Sequence, residues 1–179
     1  MKKIYVVRHC KAAGQAEDAP LTEEGQEQAE QLADFLQNVG AQQLVASQYL
    51  RAVQTLEPLA ARLGLSIRQD ERLGERVLSA KDEPNWMEML QAAFEDLHLC
   101  YEGGESGIQV MERAVGAVQE ILTSGAETTV LASHGGLVTH LLKHFDDSFG
   151  FESWKALRNP DVFVLTFEGD AVQIKRAWK

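Results

Sequence analysis

The sequence predicts an α/β fold: a mostly parallel sheet with helices on both faces and a hairpin at a mixed edge. Three observations carry this. Short β-branched and aromatic runs alternate with stretches of helical periodicity. Two of those runs, Ile4-Tyr5-Val6-Val7 and Val130-Leu131-Ala132-Ser133, stop at Arg8-His9 and at His134-Gly135-Gly136 rather than at ordinary turn residues. Near the end of the chain, Val162–Phe167 and Ala171–Lys175 alternate around Gly169-Asp170, a hairpin signal.

The elements follow in order. Ile4–Val7 is the first strand. Thr22 suits a helix N-cap, and Glu23 and Glu24 fall in the first turn, where the dipole favours acids. Ala29, Leu32, Ala33 and Leu36 form its apolar stripe, and Gly40 offers a stop. Leu44-Val45-Ala46 is a second strand. A second helix places Ala52, Val53, Leu56, Leu59, Ala60 and Leu63 on one face and ends at Gly64. Leu65–Arg68 reads as a third strand, and Asp70–Pro84 as a polar loop. Trp86–Leu97 reads as a helix, and Gly103-Gly104-Glu105 breaks the chain. Ser106 and Gln109 then form a capping box before a stripe of Ile108, Met111, Val115, Val118 and Leu122. Thr128–Ala132 is a strand and Leu137–Phe145 a short helix.

Composition narrows the functional classes. A chain of 179 residues, 45% hydrophobic, is long enough for one domain, residues 1–179, with a sizeable core. A net charge of -10 argues against nucleic acid, whose phosphates require a basic face. It also means that an anionic substrate must be drawn by a local cluster of cations. No apolar run approaches membrane-spanning length, and the run after Met1-Lys2-Lys3 is too short for a signal-peptide core. Cys10 and Cys100 are the only cysteines, which points to a reducing cytoplasm rather than a disulfide scaffold.

Several segments could carry chemistry. Histidines at the carboxyl ends of two strands lie where open α/β sheets bind ligands. A neutral imidazole at His9 can attack phosphorus, and Arg8 can hold phosphoryl oxygens with a planar fork of donors. Arg51 falls near the start of a helix, where a cation opposes the dipole unless an anion binds there. His134 can donate to a phosphoryl oxygen, and Gly135 with Gly136 lets backbone approach it. Glu75, preceded by Leu73-Gly74, is a candidate proton donor for a leaving oxygen. Each has a plainer alternative: a surface arginine, a core histidine, a solvated loop acid. His140 and His144 have metal-ligand spacing but no third partner in the sequence, and read as packing or surface residues. Trp86, Phe151 and Trp154 read as core or pocket wall.

Taken together the segments resemble the histidine phosphatase superfamily, which includes the phosphoglycerate mutases. The resemblance rests on Arg8-His9-Cys10, Leu21-Thr22-Glu23-Glu24-Gly25, Ser47 to Thr55 with Arg51, Leu73-Gly74-Glu75, Gly104-Glu105-Ser106 and Ser133-His134-Gly135-Gly136. It implies a three-layer αβα sandwich and a phosphatase that needs no metal or other cofactor. It makes His9 the phosphorylated nucleophile, sets Arg8, Arg51 and His134 around the phosphoryl group, and gives Glu75 the proton transfers. The partner it implies is a small phosphorylated molecule. A phosphoglycerate mutase and a protein phosphohistidine phosphatase are the neighbouring alternatives. Two departures stand out. Cys10 replaces a usual glycine, as a small buried filler or as a redox-sensitive thiol. Lys11, Ala12 and Gln15 replace a Glu-Thr-x-x-Asn segment, so that Gln15 stands in for a phosphate-binding Asn and Lys11 adds charge at the rim.

Overall fold

A computed structural model describes residues 1–178. The chain runs β1 (Lys2–Arg8), α1 (Glu23–Leu36), β2 (Gln43–Ala46), α2 (Leu50–Leu63) and β3 (Ile67–Gln69). It continues with α3 (Trp86–Glu95), α4 (Gly107–Thr123), β4 (Thr128–Ser133), α5 (Gly135–Phe145), α6 (Phe151–Lys155), β5 (Asp161–Glu168) and β6 (Ala171–Arg176). The strands form one sheet in the order β3-β2-β4-β1-β5-β6. β3, β2, β4 and β1 are mutually parallel, while β5 and β6 run antiparallel at the edge. This is the mixed sheet that the sequence predicts.

Strand alternation divides the interior into two cores, because successive side chains point to opposite faces. Val7, Leu44, Ala46, Val130 and Ala132 pack with Leu32, Leu36, Leu56 and Leu59 from α1 and α2. Ile4, Val6, Val45 and Leu131 pack on the other face with Val110, Val118, Leu137 and Leu141 from α4 and α5. Leu131 and Leu137 are fully buried, so truncating either to alanine should cost about 2–5 kcal/mol.

The helix ends obey local chemistry. Thr22 caps α1 by accepting from the Gly25 N–H at 3.0 Å. Ser106 and Gln109 complete the capping box of α4, at 3.2 Å and 2.9 Å. The differences from the sequence reading are physical ones. α1 ends at Leu36, and Gly40 serves the following turn with φ 79°. α3 stops at Glu95, before Leu97. β3 is shifted to Ile67–Gln69, where it pairs with Leu44–Ala46. A short 3-10 turn, Glu71–Leu73, lies inside the polar loop, capped by Asp70. On α4 the buried face is Val110, Ala114, Ala117, Val118 and Ile121; of the predicted stripe Val118 lies on it, and Ile108, Met111, Val115 and Leu122 sit at its margin. Ala114 and Ala117 are fully buried in that core, and size-weighted patterns overlook them. On α2, Arg51 and Thr55 are buried with Ala52, Leu56 and Leu59.

Candidate active site

Strand register assembles the site. Arg8 pairs with Ser133 across β1 and β4, and the His9 N–H donates to the Ser133 carbonyl at 3.0 Å. His9 and His134 therefore leave adjacent strand ends side by side, with ring centroids 5.2 Å apart. β2 lies on the other side of β4, and the Ser47 N–H donates to the Ala132 carbonyl at 3.0 Å. The next strand, β3, leads through Asp70 and Leu73 to Glu75. The Ser133 hydroxyl, donating to the Leu73 carbonyl at 2.6 Å, ties that loop to the end of β4.

His9 has a defined tautomer. Its Nδ1 lies 2.6 Å from the Cys10 carbonyl, which can only accept, so Nδ1 carries the proton. Nε2 is left with its lone pair and accepts from Arg51 Nε at 3.3 Å. Burial, with the nearby Arg51 and Arg8 charges, lowers the His9 pKa to about 4. Burial also holds His134 neutral, its pKa well below the ordinary imidazole value, helped by the neighbouring His9 and Arg51.

Arg51 is 1% exposed, far from the solvated arginine of the plainer reading. Its Nη1 donates to the carbonyls of Gln15 at 3.1 Å and Ala16 at 2.9 Å, and its guanidinium stacks over Tyr49, 4.8 Å from the ring centroid. Arg8 donates from Nη1 to the Leu157 carbonyl at 3.3 Å, while its buried Nε has no partner among the described residues. A Cβ on Gly135 would lie 3.1 Å from that Nε, so the glycine gives the guanidinium its room.

The Glu75 carboxylate lies at the N-terminus of α5. Oε2 accepts from the Gly136 N–H at 3.3 Å, and Oε1 from the Leu137 N–H at 3.2 Å and the Arg76 N–H at 2.7 Å. A Cβ on Gly136 would fall 2.7 Å from Oε1. His134-Gly135-Gly136 thus makes room for a carboxylate and a guanidinium at once.

The remaining motif residues hold these groups in place. The Cys10 N–H donates to Thr55 Oγ1 at 2.9 Å. A Cβ on Gly25 would collide with the Lys11 carbonyl at 2.0 Å, so the Leu-Thr-x-x-Gly segment lets α1 pack against the loop after His9. Cys10 is fully buried among α1 and α2 side chains, turned into the core, and burial pushes its thiol up to about 12.

These observations fit one family, and comparison with known proteins agrees. The model of the histidine phosphatase superfamily (branch 1) matches residues 4–178. The chain belongs to the histidine phosphatase superfamily. A relative from Escherichia fergusonii, described as a probable phosphoglycerate mutase GpmB, is 29% identical over 153 residues, covering 75% of this chain and 70% of the relative. The solved structure of mycobacterial glucosyl-3-phosphoglycerate phosphatase Rv2419c with inorganic phosphate superimposes with TM-score 0.81 at 25% identity, over 99% of this chain and 96% of that one. Bacillus stearothermophilus YhfR gives 0.80 at 26% identity, over 98% and 96%.

Not every expected residue joins this histidine phosphatase site. His9, His134, Arg8, Arg51, Gly135 and Glu75 converge on it. Lys11 instead pairs with Glu24 on the exposed side of α1, at 2.6 Å. Gln15 is exposed, and its backbone carbonyl accepts from Arg51 Nη1 at 3.1 Å. His140 is buried packing, with Nδ1 2.7 Å from the Gly136 carbonyl and its ring stacked on Phe94, while His144 is exposed. Trp86, Trp154 and Phe151 form an aromatic series between α3 and α6, with centroids 6.1 Å and 5.8 Å apart. The sequence reading missed Arg113, which donates to the Gly74 carbonyl at 2.8 Å and pairs with Glu105 at 2.7 Å, bracing the Glu75 loop. It also missed Asn159, which donates to the His9 carbonyl at 2.9 Å. Neither carries a local pattern that could have disclosed it.

Proposed function

We propose that this chain is a phosphatase that hydrolyses phosphomonoesters through a phosphohistidine at His9. The observation that carries the reading is the His9 ring: neutral, protonated on Nδ1, with its unprotonated Nε2 accepting from Arg51 beside His134. In the first step Nε2 attacks phosphorus, the N–P bond forms, and the P–O bond to the leaving group breaks. Glu75, entering this step in its protonated form, gives its proton to the departing oxygen and is left as the carboxylate. Arg8, Arg51 and His134 donate to the phosphoryl oxygens, where charge must be held as the bonds exchange. In the second step the Glu75 carboxylate takes a proton from water, whose oxygen attacks phosphorus. The N–P bond breaks and neutral His9 returns. The proposed substrate is a small phosphomonoester met in the cytoplasm, with no metal in either step.

Attack requires Arg51 Nε to move its hydrogen bond from His9 Nε2 to a phosphoryl oxygen. An anionic oxygen is the stronger acceptor, so substrate itself drives the exchange. Substrate binding and release of the nucleophile are thereby one event.

The name of the Escherichia fergusonii relative favours a second reading, a phosphoglycerate mutase, with the same phosphoenzyme but return of the phosphoryl group to an alcohol. The mycobacterial neighbour is a phosphatase by its description. Between β3 and α4 this chain inserts only a loop and the ten-residue α3, a short cover for excluding water. Following phosphate release and 3- to 2-phosphoglycerate conversion side by side separates the two. Phosphate release from a panel of phosphomonoesters, undiminished by a chelator, is the expected result. Rapid isomerisation with little free phosphate would replace the phosphatase by the mutase.

A further inference from the structure

We infer that Ser47 is a positioning residue that sets the tautomer of His134, so that its Nδ1–H faces the transferring phosphoryl group. The inference rests on the phosphoryl-transfer reading of the site and adds a residue to it.

Ser47 is fully buried at the end of β2. Its Oγ lies within hydrogen-bond distance of two groups: the Tyr49 N–H at 3.1 Å and His134 Nε2 at 2.7 Å. The Tyr49 N–H can only donate, so it takes a lone pair of the hydroxyl. The hydroxyl owns one proton, and Nε2 is the acceptor within reach. If Nε2 were protonated, the hydroxyl would accept twice and its own proton would be stranded in the interior. The neutral ring would then present a lone pair at Nδ1, which has no protein partner among the described residues. A lone pair there repels a phosphoryl oxygen. The opposite assignment satisfies every group: Tyr49 donates to Ser47, Ser47 donates to Nε2, and Nδ1 bears the proton. A fully buried N–H without a protein acceptor, on a ring 5.2 Å from His9, is a donor held ready for an oxyanion. Tyr49 packs edge-on at 4.6 Å and fixes the plane of the ring. The ring is held neutral by burial, so it carries a single proton and its placement matters.

Ser47 has an evident structural duty too, since it anchors the Tyr49 N–H at the entry to α2. The test must separate the roles. Nitrogen-15 NMR of histidine-labelled protein reads the tautomer directly, with the His134 signals identified by their loss in His134→Gln. The wild type is expected to show a pyrrole-like Nδ1 and a pyridine-like Nε2 at His134. Ser47→Thr, which keeps the hydroxyl, should preserve that pattern. Ser47→Ala should populate the other tautomer, lower kcat about tenfold and weaken vanadate binding by a similar factor. A wild-type spectrum with Nε2 protonated overturns the inference. So does a folded Ser47→Ala that keeps both the tautomer and kcat. If Ser47→Ala does not fold, the wild-type spectrum alone decides. That spectrum is recorded without substrate, so a failure of the phosphatase reading shows elsewhere, as turnover surviving in His9→Ala.

Discussion

Arg51 donates from Nε to His9 Nε2 over 3.3 Å, so the lone pair assigned to nucleophilic attack is already engaged by the side chain proposed to hold the phosphoryl group. A lysine at position 51 would keep the charge but lose the fork that reaches His9 and the Gln15 and Ala16 carbonyls together. Arg51→Lys should lower kcat/KM by about 100-fold, the scale of one lost transition-state donor. Steady-state kinetics on a simple aryl phosphate measures it. A variant as active as the wild type would show that Arg51 does not hold the phosphoryl group.

Gly136→Ala isolates the carboxylate. The added Cβ falls 2.7 Å from Glu75 Oε1, a flexible side-chain end that can yield. Alanine also favours the helix by about 1 kcal/mol over glycine. The variant should therefore fold with nearly unchanged thermal stability, yet lose about tenfold or more in kcat on alkyl phosphates, whose leaving oxygen needs a proton. Substrates with good leaving groups should be affected less in the phosphorylation step. Equal losses on both would indicate a general distortion instead.

Acid should act on stability before it reaches the nucleophile. Burial lowers both His9 and His140 from 6.5 to about 4. Between those values the unfolded chain binds protons that the folded chain does not, so stability falls as pH drops from about 6.5 to about 4. Urea midpoints at pH 7.5 and pH 4.5 should differ, and the difference should shrink in His9→Ala. At the same time kcat/KM should show no loss with an apparent pKa of 6.5 from His9 itself.

The two cysteines should react differently. Cys100 is exposed, whereas Cys10 is fully buried with its thiol pushed up to about 12. Iodoacetamide should label Cys100 in the folded protein and Cys10 only after unfolding, as read by peptide mass spectrometry. Peroxide should leave activity intact in Cys100→Ser. Rapid labelling of Cys10 in the native protein would restore the redox-sensitive reading.

Strand ends were the most legible part of the molecule. Ile4–Val7 and Val130–Ser133 announce themselves by β-branched composition, and a parallel pairing then has to bring His9 beside His134. The residues that support them were hidden because their signal is three-dimensional. Arg113 looks like any helical arginine until α4 packs under the Glu75 loop. Asn159 reaches His9 across 150 positions of chain. Lys11, which the family pattern sets at the rim of the site, is paired with Glu24 on α1, a contact no local pattern announces. The α4 stripe shows the same limit, since Val110, Ala114, Ala117 and Ile121 are buried but lie outside the stripe the sequence predicts.

The most direct test is to trap the phosphoenzyme. Incubation with a phosphomonoester, a rapid quench in alkali and peptide mapping should place an alkali-stable, acid-labile phosphoryl group on His9, absent from His9→Ala and longer-lived in Glu75→Gln. Steady turnover with no phosphorylated histidine, or with the phosphoryl group on another side chain, would contradict the role given to His9.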